Sequence, residues 1–153
     1  MFRFAEPADL PGVLQLYKEL RPQDPALAAS DARALWHELL AQPHIRVVVA
    51  DVEGALASTC MIALVNNLAS AGRPFAVIEH VVTLSQFRGR GLARATMQYA
   101  LDFAWSRDCC KVMLLSGLQR PDAHRLYESL GFRGDIERGF VVKPAPHRVP
   151  RRS

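Results

Sequence analysis

The fold of this chain is decided by a glycine- and arginine-rich stretch, Gln86-Phe87-Arg88-Gly89-Arg90-Gly91-Leu92-Ala93-Arg94. It follows an apolar run at residues 77–83, which is typical of a strand, and precedes a run at residues 92–105 that is typical of a helix. The first N–H groups of a helix have no intrahelical acceptor, and the helix dipole adds about half a positive charge beside them. The stretch therefore predicts an anion site suited to phosphate oxygens.

The residues of this turn favour a phosphate ligand. Gly89 and Gly91 carry no side chain that would keep a pyrophosphate away from the backbone. Positive charges are expected around the same spot from Arg88, Arg90 and Arg94. The pattern is neither the P-loop, Gly-x-x-x-x-Gly-Lys-Ser/Thr, nor the dinucleotide fingerprint, Gly-x-Gly-x-x-Gly.

A second patterned segment follows later in the chain and reads Ala123-His124-Arg125-Leu126-Tyr127-Glu128-Ser129-Leu130-Gly131-Phe132. It resembles the Ala-x-x-x-Tyr-x-x-x-Gly-Phe segment of the GNAT superfamily of acyl-CoA-dependent N-acyltransferases. The turn, as Arg88-x-x-Gly91-x-Ala93, resembles the loop of that family that holds the pyrophosphate of acetyl-CoA. The resemblance covers residues 75–142 well and the first 70 residues only in general layout.

The resemblance implies an acetyl-CoA site where the strand meets the helix. It assigns the pyrophosphate to the turn and the pantetheine amides to strand backbone just upstream. A strand splayed from its neighbour leaves N–H and C=O groups that an extended pantetheine can satisfy. The cofactor-binding residues implied are Val81, Val82, Thr83, Arg88, Gly89, Arg90, Gly91, Leu92, Ala93 and Arg94.

Two residues are candidates for catalysis. Tyr127 occupies the tyrosine position of the family, where the hydroxyl points at the sulfur of CoA. Glu79 is the candidate base for the acceptor amine, directly or through a water, and an ion pair with an arginine is its alternative role. His80 is the rival base. Because successive strand residues face opposite sides, only one of the two is expected to face the cleft.

Arg120 departs from the family pattern, since many members carry Asn at this position. Any contact assigned to that asparagine therefore does not carry over to this chain. Arg120, Pro121 and Asp122 suit the start of a helix, with an acid near its N-terminus. Ser116 ends the preceding apolar run and is either a cleft residue or an ordinary strand-end serine.

Hydrophobic periodicity predicts an α/β (α+β) domain with a mixed, largely antiparallel sheet and about four helices on both faces. Helices are expected after Pro7, after a cap at Ser30 or Asp31, at residues 92–105 and around Tyr127. Six to seven strands are expected, at residues 2–5, 45–52, 55–65, 75–83, 111–116 and 137–143, with a short one near Phe132.

Composition indicates one globular domain. The 153 residues suit a GNAT-like domain at 1–143 and a basic tail at 144–153 that we expect to be disordered. No apolar run approaches the roughly 20 residues of a membrane span, and the N-terminus lacks a signal-peptide pattern, so a cytoplasmic protein is expected. The three cysteines and five histidines show no metal-ligand spacing, so no metal is expected.

The sequence favours an enzyme that transfers the acetyl group of acetyl-CoA to the primary amine of a small molecule by direct attack on the thioester. A peptide or protein N-acetyltransferase and a non-catalytic CoA-binding regulatory module are the alternatives. Nucleic acid is not favoured as a partner, because arginines within one turn form a compact anion pocket rather than an extended stripe. Dimerisation is common in the family that the chain resembles, so the sequence allows a homodimer as well as a monomer.

Overall fold

The computed structural model describes residues 1–145, which contain a five-stranded sheet and four α-helices. The strands are β1 (Phe2–Phe4), β2 (Ile45–Val52), β3 (Ala55–Val65), β4 (Phe75–Thr83) and β5 (Val112–Met113). The helices are α1 (Leu10–Leu20), α2 (Ala29–Ala41), α3 (Leu92–Ser106) and α4 (Pro121–Ser129). The predicted tail at 144–153 lies outside the described residues from position 146 onward.

The strands follow one another across the sheet in chain order. All neighbours are antiparallel except β4 and β5, which are parallel and joined by α3 as a crossover. The hairpin of β2 and β3 turns at Glu53 and Gly54, as predicted, with φ values of 53° and 84°. Two positive φ values are typical of the type I′ turn, whose twist matches that of the strands.

Helices cover both faces of the sheet, as the sequence predicts. On one face, Met97 of α3 packs in a core cluster with Val48 of β2. On the other face, Val13 of α1 and Trp36 of α2 pack with Val49 of β2. Because successive strand residues face opposite sides, β2 is buried from both directions.

The expectation of six to seven strands is wrong, since five are present within residues 1–145. The run at 111–116 forms a strand only over Val112–Met113, because it pairs with β4 at two positions before the chains separate. The strands expected near Phe132 and at 137–143 are absent from the described part of the chain, where that backbone joins no ladder. Apolar composition alone does not make a strand without a neighbour at hydrogen-bonding distance.

Two contacts connect residues 137 and 139 to the residues that flank β5. The Nζ atom of Lys111 lies 3.2 Å from the carboxylate of Glu137. Gly139 lies against Leu115 so closely that an added Cβ would collide with the leucine side chain. Phe140 is 86% exposed, so the apolar residues of this segment contribute little to the core.

Helix α2 begins earlier than expected. The sequence predicts a cap at Ser30 or Asp31, but the helix begins at Ala29 and its N-cap, Ala28, makes no side-chain hydrogen bond. The backbone closes the first turn instead, because the N–H of Ala32 donates to the carbonyl of Ala28 at 2.9 Å. Asp31 then lies inside the first turn, where the helix dipole still favours an acid.

A bidentate ion pair joins β1 to the start of α1. Both Nη atoms of Arg3 donate to the carboxylate of Asp9, at 2.6 and 2.9 Å. The N–H of Glu6 donates to the same carboxylate at 2.7 Å. Hydrogen bonding from Arg3 holds the pKa of Asp9 below its ordinary value of 3.8, against the opposing effect of burial.

We expect Asp9→Asn to lower the free energy of unfolding near neutral pH by about 1.5–3 kcal/mol, the usual contribution of hydrogen bonds to charged groups. Because the folded-state pKa is depressed, this stabilisation is complete above the unfolded-state pKa and is lost as pH falls through the folded-state pKa. Urea unfolding of wild type and variant, near neutral pH and in steps below pH 3.8, measures the difference, which should shrink on acidification.

The control for this prediction is Asp24→Asn. Asp24 pairs with Arg21, but both side chains are more than half exposed, at 54% and 59%, so their pair contributes little. An equal loss of stability in the two variants would contradict a special role for the Arg3–Asp9 pair.

Candidate active site

A slot opens between β4 and β5. The strands pair at two positions, the second of them Val77 with Met113. From Ile78 onward, this edge of β4 faces no strand within residues 1–145, so its N–H and C=O groups can bind a ligand. The slot contains a cavity of about 110 Å³. Its lining includes Glu79, His80, Val81, Ser116, Arg120 and Tyr127.

A β-bulge at His80 shapes one wall of the slot. Glu79 and Val82 of β4 pair with Met61 and Thr59 of β3, so two residues of β4 face a single residue of β3. The φ of His80 is 57°, a left-handed value that is uncommon outside glycine and frequent near functional sites. Because a bulge interrupts strand alternation, Glu79 and His80 both border the cavity. The expectation that only one would face the cleft is not met.

The two candidate bases have different surroundings. The side chain of Glu79 is exposed and takes part in none of the ion pairs within residues 1–145. The imidazole of His80 packs against the ring of Tyr17 on α1, with ring centroids 5.1 Å apart. These surroundings favour Glu79 as the group that meets an amine in the slot.

Tyr127 lies on α4 and lines the cavity. Its ring packs edge-on against Phe132, with centroids 6.2 Å apart. Burial raises the pKa of Tyr127 above its ordinary value of 10.0, and the opposing effects of Arg120 and Ser116 are smaller. The phenol is therefore protonated at neutral pH and can donate a hydrogen bond into the cavity.

The turn after β4 presents a row of unpaired backbone donors. Gly89 and Gly91 both have a φ of 73°, which glycine adopts without steric cost. The N–H of Ala95 donates to the carbonyl of Gly91 at 3.1 Å, which is the first hydrogen bond at the start of α3. The N–H groups of residues 89–94 have no hydrogen-bond acceptor within residues 1–145. Such a row of donors at a helix start suits an anion such as pyrophosphate.

Arg88 is held by Glu19 of α1. Its Nη2 atom lies 2.9 Å from Oε1 of Glu19, and its Nε donates to the carbonyl of Thr83 at 3.2 Å. The N–H of Ser85 donates to the same glutamate oxygen at 2.7 Å. Glu19 therefore holds Ser85 and Arg88, the residues that lead from β4 into the turn. Sequence reasoning missed it, because nothing in its helical neighbourhood marks a residue that reaches the turn.

The other two arginines of the turn also have partners. The guanidinium of Arg90 lies 5.6 Å from the ring centroid of Phe87. Nη2 of Arg94 donates to the carbonyl of Ser129 at the end of α4, at 3.4 Å. Each guanidinium thus contributes to the scaffold, and the unpaired backbone N–H groups add further donors for an anion.

Of the segment expected to hold pantetheine, Val81 lines the cavity and the next two residues are anchored to their surroundings. Val82 is buried in a cluster with Leu16 and Leu84. The hydroxyl of Thr83 lies 2.8 Å from the hydroxyl of Ser58 on β3. These contacts hold the end of β4 against α1 and β3. Leu92 and Ala93 begin α3 beside the turn.

The chain matches the model of the acetyltransferase (GNAT) family over residues 13–132. A structure from Agrobacterium tumefaciens, provisionally identified as an acetyltransferase, is 42% identical with a TM-score of 0.90, over 94% of this chain and 99% of that one. Glucosamine-6-phosphate N-acetyltransferase from Arabidopsis thaliana shares the fold, with a TM-score of 0.81 at 20% identity over 95% and 97% of the two chains. The chain therefore belongs to the GNAT family of acetyltransferases, as its two motifs predict.

N-acetylaspartate synthetase from Danio rerio matches a shorter part of the chain. It is 43% identical over 66 residues, which are 43% of this chain and 23% of that protein. The chain thus spans less than a quarter of this relative. Family membership supports an acyltransferase that depends on acetyl-CoA.

Two further features concern the described part of the chain alone. Within residues 1–145, no group of at least three His, Cys, Asp or Glu side chains is placed to bind a metal ion. None of the helices in that part combines the length and apolar character that crossing a membrane requires.

Proposed function

We propose that this chain transfers the acetyl group of acetyl-CoA to the primary amine of a small molecule, by direct attack of the amine on the thioester. The observation that carries the proposal is the continuity of the slot with the turn, because the open edge of β4 leads into residues 89–94 and their unpaired N–H groups. A pantetheine arm along this edge would join a pyrophosphate at the turn to a thioester in the cavity. Positioning of this kind can lower a barrier by roughly 7–11 kcal/mol.

The acceptor amine must lose a proton before it attacks. An alkyl ammonium with a pKa of about 10.4 is neutral in only about one molecule in 2500 at pH 7, a penalty near 4.6 kcal/mol. Glu79 is the proposed base, because its exposed carboxylate borders the cavity. It acts directly or through one water, and His80 is the rival on the same wall.

Tyr127 is the proposed partner of the departing sulfur. A thiolate with a conjugate-acid pKa of about 8.5 is a weaker base than a phenolate of about 10, so complete proton transfer from tyrosine costs about 2 kcal/mol. The raised pKa of Tyr127 increases that cost. Tyr127 therefore stabilises the developing thiolate by hydrogen bonding, and the proton moves late.

A small molecule is the proposed acceptor, because a cavity of about 110 Å³ suits a compact group. One relative is named for a small acetylated product, N-acetylaspartate, which supports the same class of acceptor. A peptide or protein amine and a non-catalytic CoA-binding role are the alternatives. A homodimer and a cytoplasmic location stay predictions.

Thermal unfolding with and without acetyl-CoA, followed by thiol release on the same sample, tests the proposal. Acetyl-CoA at 100 times its dissociation constant should add about 2.7 kcal/mol of stability, so a clear rise in Tm is expected. The thiol assay then compares small amines, amino acids, amino sugars, polyamines and peptides, and fastest release with a small molecule is expected.

The other outcomes separate the alternatives. An unchanged Tm would overturn the proposal, and the turn would then hold some other anion. A raised Tm without thiol release from any acceptor would favour the non-catalytic module. Fastest release with peptides would favour the peptide or protein acetyltransferase.

A further inference from the structure

We propose that Arg120 selects acceptors that carry a carboxylate near the amine, which makes amino acids the substrate class of this site. This substrate class rests on the proposed function and adds the group that recognises the acceptor. Arg120 lines the same cavity as Glu79 and Tyr127, so a small acceptor in the slot meets all of these side chains.

The guanidinium of Arg120 has no acidic partner within residues 1–145. The nearest acid in sequence, Asp122, is paired with Arg125 instead. Arg120 is also exposed, so its donors are accessible from the cavity. Six other arginines of the described chain pair with carboxylates, namely Arg3, Arg21, Arg73, Arg88, Arg125 and Arg133, and the remaining unpaired arginines within residues 1–145 do not line the cavity. A guanidinium that borders a cavity with its donors unused suits a carboxylate, which it can bind through two parallel hydrogen bonds.

The loop before α4 holds the stem of Arg120. Cδ of Arg120 lies 3.4 Å from the position that a Cβ on Gly117 would occupy, so the stem packs against bare backbone. The carbonyl of Gly117 lies 2.9 Å from Nε2 of His124 on α4. Because the stem is already packed, less side-chain freedom is lost when a ligand binds the guanidinium.

The cavity lining carries one acid and one arginine, and these lie on different elements. Glu79 belongs to β4, whereas Arg120 is the N-cap residue of α4. An α-amino acid carries the matching charges, an ammonium group and a carboxylate attached to the same carbon. When Arg120 holds the carboxylate, the ammonium group is directed toward Glu79, which is the arrangement that deprotonation requires.

Steady-state kinetics on the full chain test this substrate class. The probes are the proteinogenic L-amino acids, the C-terminal amide of the best of them, the corresponding amine without a carboxyl group, and phosphoethanolamine. The wild type should prefer the free acid to its amide by roughly 10-fold or more in kcat/KM, the range expected for hydrogen bonds to a charged group. Arg120→Ala should raise KM for the acid by a similar factor, leave KM for the amide unchanged and leave the Kd of acetyl-CoA unchanged.

Two further variants complete the design. Arg120→Lys keeps the charge but loses the planar fork, so its KM for the acid should lie between those of wild type and Arg120→Ala. Arg125→Ala is the matched control, because Arg125 lies on α4 and pairs with the exposed Asp122 away from the cavity. Its kinetic constants should equal those of the wild type.

Each contrary result has a distinct meaning. Equal use of the acid and its amide by the wild type, which needs no variant, would overturn the substrate class while leaving acetyl transfer in place. A weaker acetyl-CoA affinity in Arg120→Ala would assign the residue to the cofactor instead. A preference for phosphoethanolamine would replace the carboxylate with a phosphate. Acetyl-CoA binding without thiol release from any amine would overturn the proposed function itself.

Discussion

We expect Tyr127→Phe to lower kcat on the order of 10-fold or more while leaving the Kd of acetyl-CoA nearly unchanged. The substitution removes only the hydroxyl, so the ring keeps its edge-on contact with Phe132 and the cavity wall keeps its shape. The lost hydrogen bond acts on the departing thiolate, which exists only late in the reaction. The cost therefore falls on kcat rather than on binding.

The pH dependence gives this prediction a second measurement. Burial raises the pKa of Tyr127 above 10.0, so more than half of the phenol is still protonated at that pH. The midpoint of any loss of kcat that ionisation of Tyr127 causes should therefore lie above pH 10.0. A kcat profile of the wild type across the alkaline range, compared with that of Tyr127→Phe, checks this.

Tyr99→Phe is the matched control for the same chemical change. Tyr99 lies on α3, where it is half-buried against the core and packs edge-on against Phe4, with centroids 5.3 Å apart, and it does not line the cavity. Its kcat should equal that of the wild type. A Tyr127→Phe enzyme with wild-type kcat would remove the assigned role and leave Tyr127 as a packing residue.

Local sequence signals predicted most of the helices and strands correctly. The bounds of β2, β3 and β4 and the start of α3 depend on a few neighbouring residues, such as Gly54 at the hairpin turn and Gly91 before Leu92. Turn geometry at such positions is set by glycine and by the alternation of adjacent apolar residues. The first motif lies at the start of α3, one of these elements, and the second lies mainly on α4, which was expected around Tyr127 without exact bounds.

Long-range pairing decided the features that the sequence did not reveal. The bulge at His80 arises from the register of β4 against β3. It therefore contradicts the expectation, based on simple alternation, that only one of Glu79 and His80 faces the cleft. The pair of Glu19 and Arg88 joins residues 69 positions apart. Residues 137–143 have the composition of a strand, but they find no ladder partner within the described chain because β5 ends at Met113. None of these outcomes is encoded in a window of neighbouring residues.

We expect Gly91→Val to abolish the stabilisation by acetyl-CoA. Gly91 precedes α3 with a φ of 73°, a value that costs an ordinary residue roughly 1–2 kcal/mol and a β-branched residue more. An added Cβ meets no protein atom within 4 Å, so the change acts through the backbone and through the space that a pyrophosphate would occupy. The rise in Tm expected for wild type, equivalent to about 2.7 kcal/mol at 100 times Kd, should disappear.

Gly54→Val separates backbone strain from ligand binding. Gly54 has a φ of 84° and no protein atom within 4 Å of an added Cβ, but it lies at the tip of the β2–β3 hairpin. Both variants should lower the Tm of the free protein, because both force a branched side chain into a left-handed conformation. Only Gly91→Val should also lose the rise in Tm on adding acetyl-CoA. A full rise in Gly91→Val would show that the turn at residues 89–94 does not hold the pyrophosphate, and equal losses in both variants would show that strain alone accounts for the effect.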